Sequence, residues 1–364
     1  MRKSLPLFAS AVLAVLCLQC TDSAPVDPDP SSLVLDGHIL FVSSGSAGGL
    51  ADGLWAIDLQ GGSATMRLVA EGASDARAAS NTSIIVYTKL STGHSQDIHL
   101  NTIAGTGERN LTQRQGVSEW GPDITTQGSI IAFSALYGNT GASAICLVDT
   151  AGRGLHAITD SLSPDAHAWL PRWSPDGSRL AYIRRTQAGP PPICWLATVS
   201  PGGSDQRDLA RASNFYAPQW SPDGKFIAYA SLSGSTASIS ILDIGTGTAK
   251  ELTVPSRVLD PVGLAWTPGG GLCFVGRNAG DSLFSLYYTA DVSSGMSVEI
   301  ATGFRYPESV AVSPGGAAVA VFARGEDGRI ELHIMRVDGR ARKTVLQLPA
   351  GTVTQAGGFT QWIG

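Results

Sequence analysis

Charge is scarce in this chain. Asp, Glu, Lys and Arg make up 15% of its 364 residues, where soluble domains carry about 25%. There is no dense basic run, and the net charge is −5. Both argue against a nucleic-acid partner. Paired cysteine spacing is also missing. Cys146, Cys194 and Cys273 each sit inside an apolar strand pattern, which predicts buried thiols, with neither a disulfide framework nor a zinc site. No Gly-x-Ser-x-Gly elbow occurs, since Gly45, Ser46, Ala47 and Gly48 fall one residue short of it. A hydrolase of the oligopeptidase type needs that elbow on a second α/β domain. The histidines are His38, His94, His99, His156, His167 and His333. None pair at ligand spacing on a helix, and no Asp-rich calcium loop is visible. No metal and no cofactor is expected. Past residue 36 no stretch keeps a helical period.

The longest apolar run, residues 5–18, follows Arg2 and Lys3. It is short of the roughly twenty residues of a spanning helix and reads as a secretory signal. Cys20 comes next, then a stretch rich in Asp, Pro and Ser. This order resembles a bacterial lipoprotein signal, which implies acylation of Cys20 and a lipid anchor. Simple cleavage and secretion is the alternative, and an uncleaved anchor is the third reading. The expected organisation is a leader at 1–20, a flexible tether at 21–35 and one domain at 36–364. The expected location is the periplasm or cell surface.

What the chain has is a repeat. Residues 170–184 (LPRWSPDGSRLAYIR) and 217–231 (APQWSPDGKFIAYAS) agree strongly, and 262–276 and 309–323 agree more weakly. Their turn glycines, Gly177, Gly224, Gly270 and Gly316, lie 47, 46 and 46 residues apart. Stepping backwards reaches Gly128, Thr82 and Gly37. Each unit has a short strand ending at Trp173, Trp220, Trp266 or an equivalent. A Ser-Pro-Asp-Gly hairpin turn follows, then three more strands. Four antiparallel strands in forty-odd residues is the grammar of a propeller blade. The predicted fold is all-β: a seven-bladed β-propeller of four-stranded antiparallel blades. The opening unit lacks its inner strand, and residues 354–362 (TQAGGFTQW) place Trp362 where that strand needs it. The C-terminal strand is therefore expected to complete the first blade, removing two exposed sheet edges.

The Trp-Ser-Pro-Asp-Gly units at Trp173 and Trp220 resemble the WD-like repeats of TolB-type propellers, strongly over 165–325. The resemblance implies a non-catalytic envelope scaffold, monomeric, binding an envelope protein or peptide. The same repeat also serves the propeller halves of oligopeptidase-type enzymes. A carbohydrate-active propeller, either a polysaccharide lyase or a glycan-binding module, is the alternative. A histidine cluster, or carboxyls about 5–5.5 Å apart, would favour it.

Asp176 and Asp223 occupy equivalent turns, so local hydrogen bonding explains them better than catalysis does. The three tryptophans read as packing between blades. The longer loops (44–53, 88–96, 135–143, 184–192 and 324–329) fall on the face opposite the turns, where a rigid scaffold can position function. The candidate ligand-binding residues at that funnel mouth are Arg77, Trp120, His167, Trp169, Tyr216, Asp260, Arg305 and Tyr306. Trp, Tyr and Arg are the types enriched at binding hot spots.

Overall fold

The Ser-Pro-Asp-Gly segments fold on bonds they make to themselves. In the first, Gly177 N–H donates to the Ser174 carbonyl (2.9 Å), Ser174 Oγ to Asp176 (2.6 Å), and the Ser178 amide to Asp176 (3.0 Å). The second repeats this at Gly224, Ser221, Asp223 and the Lys225 amide. Both glycines sit at φ +70, where a side chain is strained. The Ser174 and Ser178 contacts hold the Asp176 carboxyl below its ordinary range. These aspartates therefore serve the turns.

In the computed structural model the described residues are 33, 35–44, 49–61, 63–91, 95–163, 165–186, 193–216, 218–233, 236–253, 258–278, 280–354 and 360–364. The expected leader, Cys20, nearly all of the tether and Pro190 to Pro192 lie outside them. Residues 33–364 form one compact unit. Among the described residues every regular element is a strand.

The opening sheet joins β1 (Gly37–Ser43), β2 (Gly53–Gln60) and β3 (Ser63–Glu71) to the last strand of the chain, β28 (Thr360–Ile363). Strands β28 and β1 are antiparallel, with Leu40 opposite Gln361. A meander follows: β4 (Ala73–Ala78), β5 (Ile84–Leu90), β6 (Gln96–Thr102) and β7 (Arg109–Asn110). It recurs as β8 (Val117–Ile124), β9 (Ile130–Tyr137), β10 (Ser143–Asp149) and β11 (His156–Ala157). It recurs again as β12 (Ala166–Trp173), β13 (Leu180–Thr186), β14 (Ile193–Val199) and β15 (Arg207–Ala212). One parallel bridge, Ser143 to His167, joins these last two meanders. The next splits its first strand into β16 (Asn214–Phe215) and β17 (Gln219–Trp220), before β18 (Phe226–Ser233), β19 (Thr236–Asp243) and β20 (Ala249–Glu251). Then β21 (Val258–Trp266), β22 (Leu272–Asn278) and β23 (Phe284–Thr289) pair with the first half of β24 (Val298–Val312). Its second half opens the meander of β25 (Ala318–Arg324), β26 (Ile330–Arg336) and β27 (Lys343–Gln347).

The core lies between consecutive sheets. Val86 and Ile98 of one meet Phe133 and Cys146 of the next. Ile183 and Leu196 meet Tyr229 and Leu242. The last meander meets the opening sheet, with Phe322 and Ile334 against Ile39, Phe41 and Trp362. The Phe41 and Phe322 ring centroids are 5.2 Å apart. The three cysteines are buried thiols, and burial pushes Cys273 up to about 12.

The tryptophans bridge sheets with hydrogen bonds as well as area. Trp220 Nε1 donates to the Arg172 carbonyl of the preceding meander, and Trp266 Nε1 to that of Gln219, each at 3.0 Å.

The first strands also carry a recurrent bulge. The residue seven before the turn position is left-handed in four meanders: Asp75 (φ 45), Gly121 (φ 59), Leu170 (φ 54) and Gly263 (φ 66). The ladders shift register there. Such a bulge bends the strand and re-aims its side chains.

At the end of the chain, Ser309 and Thr360 hydroxyls lie 2.6 Å apart, tying β24 to β28. Beside them Glu308 is buried, with Oε1 3.1 Å from Arg324 Nη2. Burial outweighs that pair and pushes the Glu308 carboxyl up to about 7.

Two outcomes follow for stability. Trp220→Phe should cost about 1–2 kcal/mol in urea denaturation, because it leaves a carbonyl without its donor. A variant as stable as wild type would show that the bond contributes nothing. Glu308 binds its proton more tightly folded than unfolded. Its contribution is therefore complete below the ordinary value of 4.5 and is lost as pH rises through about 7. Glu308→Gln should accordingly gain on wild type between pH 4.5 and pH 7.5, and a gap that does not change with pH would contradict this.

Candidate binding face

Each meander has a turn end, carrying the Ser-Pro-Asp-Gly hairpin or its equivalent, and a loop end. At the loop end the second strand turns into the third and the chain crosses to the next sheet. Six large apolar side chains stand exposed at the loop end: Leu90, Leu136, Leu162, Tyr216, Tyr306 and Val353. Leu162 and Tyr306 are 80% and 73% exposed. Four others, Leu68, Ile130, Met296 and Val298, are exposed away from that end, and exposed apolar area of this kind is open to contact.

The bulge divides the first strands into a loop half and a turn half. Trp120, His167 and Trp169 lie on the loop halves of β8 and β12, and all three are half-buried. Trp169 packs into the hydrophobic cluster that includes Phe215 and Tyr229 of the next meander, so part of its ring serves the core. Burial, then the charge of Arg185, pulls the His167 imidazole below its usual range. Tyr216 lies between β16 and β17, with its amide donating to the Ala230 carbonyl (2.9 Å). Arg305 and Tyr306 lie on β24, both exposed. Tyr306 takes φ +42. Asp260 belongs to the loop half of β21, and its side chain lies outside the described residues.

Arg77 stands apart from these. It lies on the turn half of β4, beyond the bulge, five residues before the turn position Thr82. The same offset in the next two meanders gives Asp123 and Arg172. Consecutive first strands, β4 to β8 and β8 to β12, are in contact. Arg–Asp–Arg therefore runs across three neighbouring sheets. Asp123 Oδ2 accepts the Trp173 amide (2.7 Å). Each arginine donates Nη1 to the carbonyl just before it, Ala76 (3.0 Å) or Pro171 (2.8 Å). Burial, then the Arg172 charge, holds Arg77 down to about 9. Burial also lowers Arg172 and raises Asp123. Sequence reasoning singled out Arg77 alone. The shared offset was the signal that would have found its two neighbours.

Arg305 also borders an open cleft of about 520 Å³ with Arg324, Glu326, His333 and Arg342. Arg305 lies 3.9 Å from Glu326. The Arg342 guanidinium covers the Phe304 ring at 4.2 Å. Burial, then the Arg342 charge, pulls His333 down to about 4. That imidazole is neutral at physiological pH, and its Nδ1 is 3.1 Å from Thr344 Oγ1. Among the described residues no three His, Cys, Asp or Glu side chains converge as a set of metal ligands.

A search of curated proteins finds no match to this sequence. Solved structures share its fold. TolB from Acinetobacter baumannii is 18% identical, over 90% of this chain and 82% of that one, with a TM-score of 0.53. An oligogalacturonate lyase in complex with manganese is 10% identical over 86% of each chain, with a TM-score of 0.60. A puromycin-hydrolysing peptidase of Mycobacterium tuberculosis is 15% identical over 85% of this chain, with a TM-score of 0.61. This chain spans about half of that peptidase, 52%. Likeness at these identities concerns the fold. The family model of the TolB beta propeller domain matches residues 165–356, just over half of the sequence. With repeats, meanders and model in agreement, the chain belongs to the TolB β-propeller family.

Proposed function

We propose that the chain is a seven-bladed ring closed by β28, acting as a non-catalytic cell-envelope scaffold that binds a protein or peptide at its loop face. Several observations support the ring. First strands touch in the order β4, β8, β12, β17, β21, β24, β28 and back to β4. Gln361 on β28 exchanges hydrogen bonds with the Ala78 backbone at 3.1 and 3.2 Å. The envelope location rests on the apolar run at 5–18 and on Cys20 after it.

The binding role rests on one observation, the exposure of Leu90, Leu162, Tyr216 and Tyr306 at the loop ends of their meanders. Exposed tyrosine with arginine nearby is the composition of a contact patch. The likeness to the lyase and the peptidase carries no activity to this chain.

Affinity capture from envelope extract should lose its partner when Tyr216→Ala and Tyr306→Ala are combined, while melting is unchanged. An unaltered set of captured proteins would sink the docking reading. Cleavage of oligogalacturonate by the purified chain would replace it with the carbohydrate-active alternative. For the ring, Trp362→Ala should cost about 3–5 kcal/mol, and removal of 360–364 should cost at least as much. A truncated chain that melts like the intact one would end the closure proposal.

A further inference from the structure

The open cleft beside Arg305 has a lining whose charges cancel. Arg305, Arg324 and Arg342 share it with Glu326, Asp327 and Glu331, and the His333 imidazole, at about 4, is neutral. Among the described residues, Arg324 pairs with Glu308 (3.1 Å), Asp327 with Arg329 (3.5 Å) and Arg305 with Glu326 (3.9 Å). Arg342 and Glu331 have no opposite charge at such distances. Arg342 donates Nη1 to the Thr302 carbonyl (2.8 Å) and lays its guanidinium on Phe304, both in the preceding meander. Glu331 accepts from the Gln347 amide (3.4 Å) and lies 3.4 Å from the neutral His333, both in the last meander. Partial burial lowers Arg342, and the Glu331 charge pulls it back. The two charges therefore sense each other without meeting. Glycine at 325 admits the carboxylate, since a Cβ there would stand 2.7 Å from Glu331 Oε1. A Cβ on Gly303, beside Thr302 and Phe304, would meet nothing within 4 Å, so that part of the lining borders open space.

A volume of about 520 Å³ lies within the range of about 300–1,000 Å³ common to small-ligand sites. A simple anion would gain at Arg342 and be repelled by Glu331, and a simple cation would meet the reverse. With a lining of no net charge, neither is drawn in from a distance. A ligand that carries one charge of each sign, set apart, answers both. We propose that this cleft binds a short free peptide, with Arg342 taking its terminal carboxylate and Glu331 its terminal ammonium. The guanidinium fork matches a carboxylate in shape as well as charge. Leu283, the apolar side chain of the lining, offers contact to the ligand's own side chains. The site goes beyond the docking reading and uses neither Tyr216 nor Tyr306, so the two proposals fail separately.

The test is calorimetric titration of the purified chain with three forms of one dipeptide, at constant ionic strength. The pH is set below the α-amino value of about 7.7–8.0, so that a free amine is charged. Alanyl-leucine carries both end charges, N-acetyl-alanyl-leucine only the carboxylate, and alanyl-leucinamide only the ammonium. Alanyl-leucine should bind saturably, and each blocked form about fivefold more weakly. Glu331→Gln should bind alanyl-leucine and its acetylated form alike, because the group that reads the ammonium is gone. Arg342→Met should bind alanyl-leucine and its amide alike. Should melting show Arg342→Met unfolded, the isosteric Glu331→Gln decides. Absence of saturable binding by alanyl-leucine, or equal binding of the three forms, overturns the inference. So does an end preference that survives in the folded variants. Tighter binding of the acetylated form than of alanyl-leucine overturns it in favour of a simple anion site, and tighter binding of the amide in favour of a cation site.

Discussion

Contact between the apolar faces of consecutive sheets is the constraint on which everything else here depends. A four-stranded meander cannot cover itself. Val86 and Ile98 need Phe133, and Ile183 needs Tyr229. Each such side chain contributes about 1.5–3 kcal/mol when fully buried. Surface ion pairs, such as Arg153 with Asp149, are screened by solvent and contribute little. In a chain with so few charges, stability has to come from these dry interfaces. A sheet with an apolar neighbour on one side only would leave the other face wet. The packing of Phe41 on Phe322 follows from that requirement.

Local chemistry was legible in the sequence, and chemistry between repeats was not. Ser-Pro-Asp-Gly announces its turn because every bond it makes is to itself. The tryptophans were readable as packing between sheets. That Trp220 also donates to the Arg172 carbonyl depends on a register between strands 47 residues apart, which no single repeat contains. The bulge was hidden for a different reason. Gly121 and Gly263 mark it, but Leu170 and Asp75 hold the same left-handed geometry without glycine. There the surrounding ladders override local preference. Arg77 was readable as a candidate but was placed with the wrong neighbours, because the bulge puts it on the turn half of its strand.

The same bulge gives the first strands two chemistries. On the loop side they present aromatic side chains, part buried in the core and part exposed, as Trp169 and Tyr216 illustrate. On the turn side they present charge deep among neighbouring strands, as Asp123 and Arg172 do. The rigid sheets hold both sets in place, so a surface of ordinary residue types gains definite geometry from its scaffold.

The pairing of Leu40 with Gln361 also sets an order in time. These partners are separated by nearly the whole length of the domain. Contacts of such long range form late, because the loop between them must first lose its freedom. A ribosome delivers the amino end first, so the opening sheet stays unfinished until β28 has been made. The pairing of β1 with β28 is therefore a late event, whatever the order in which the intervening meanders form.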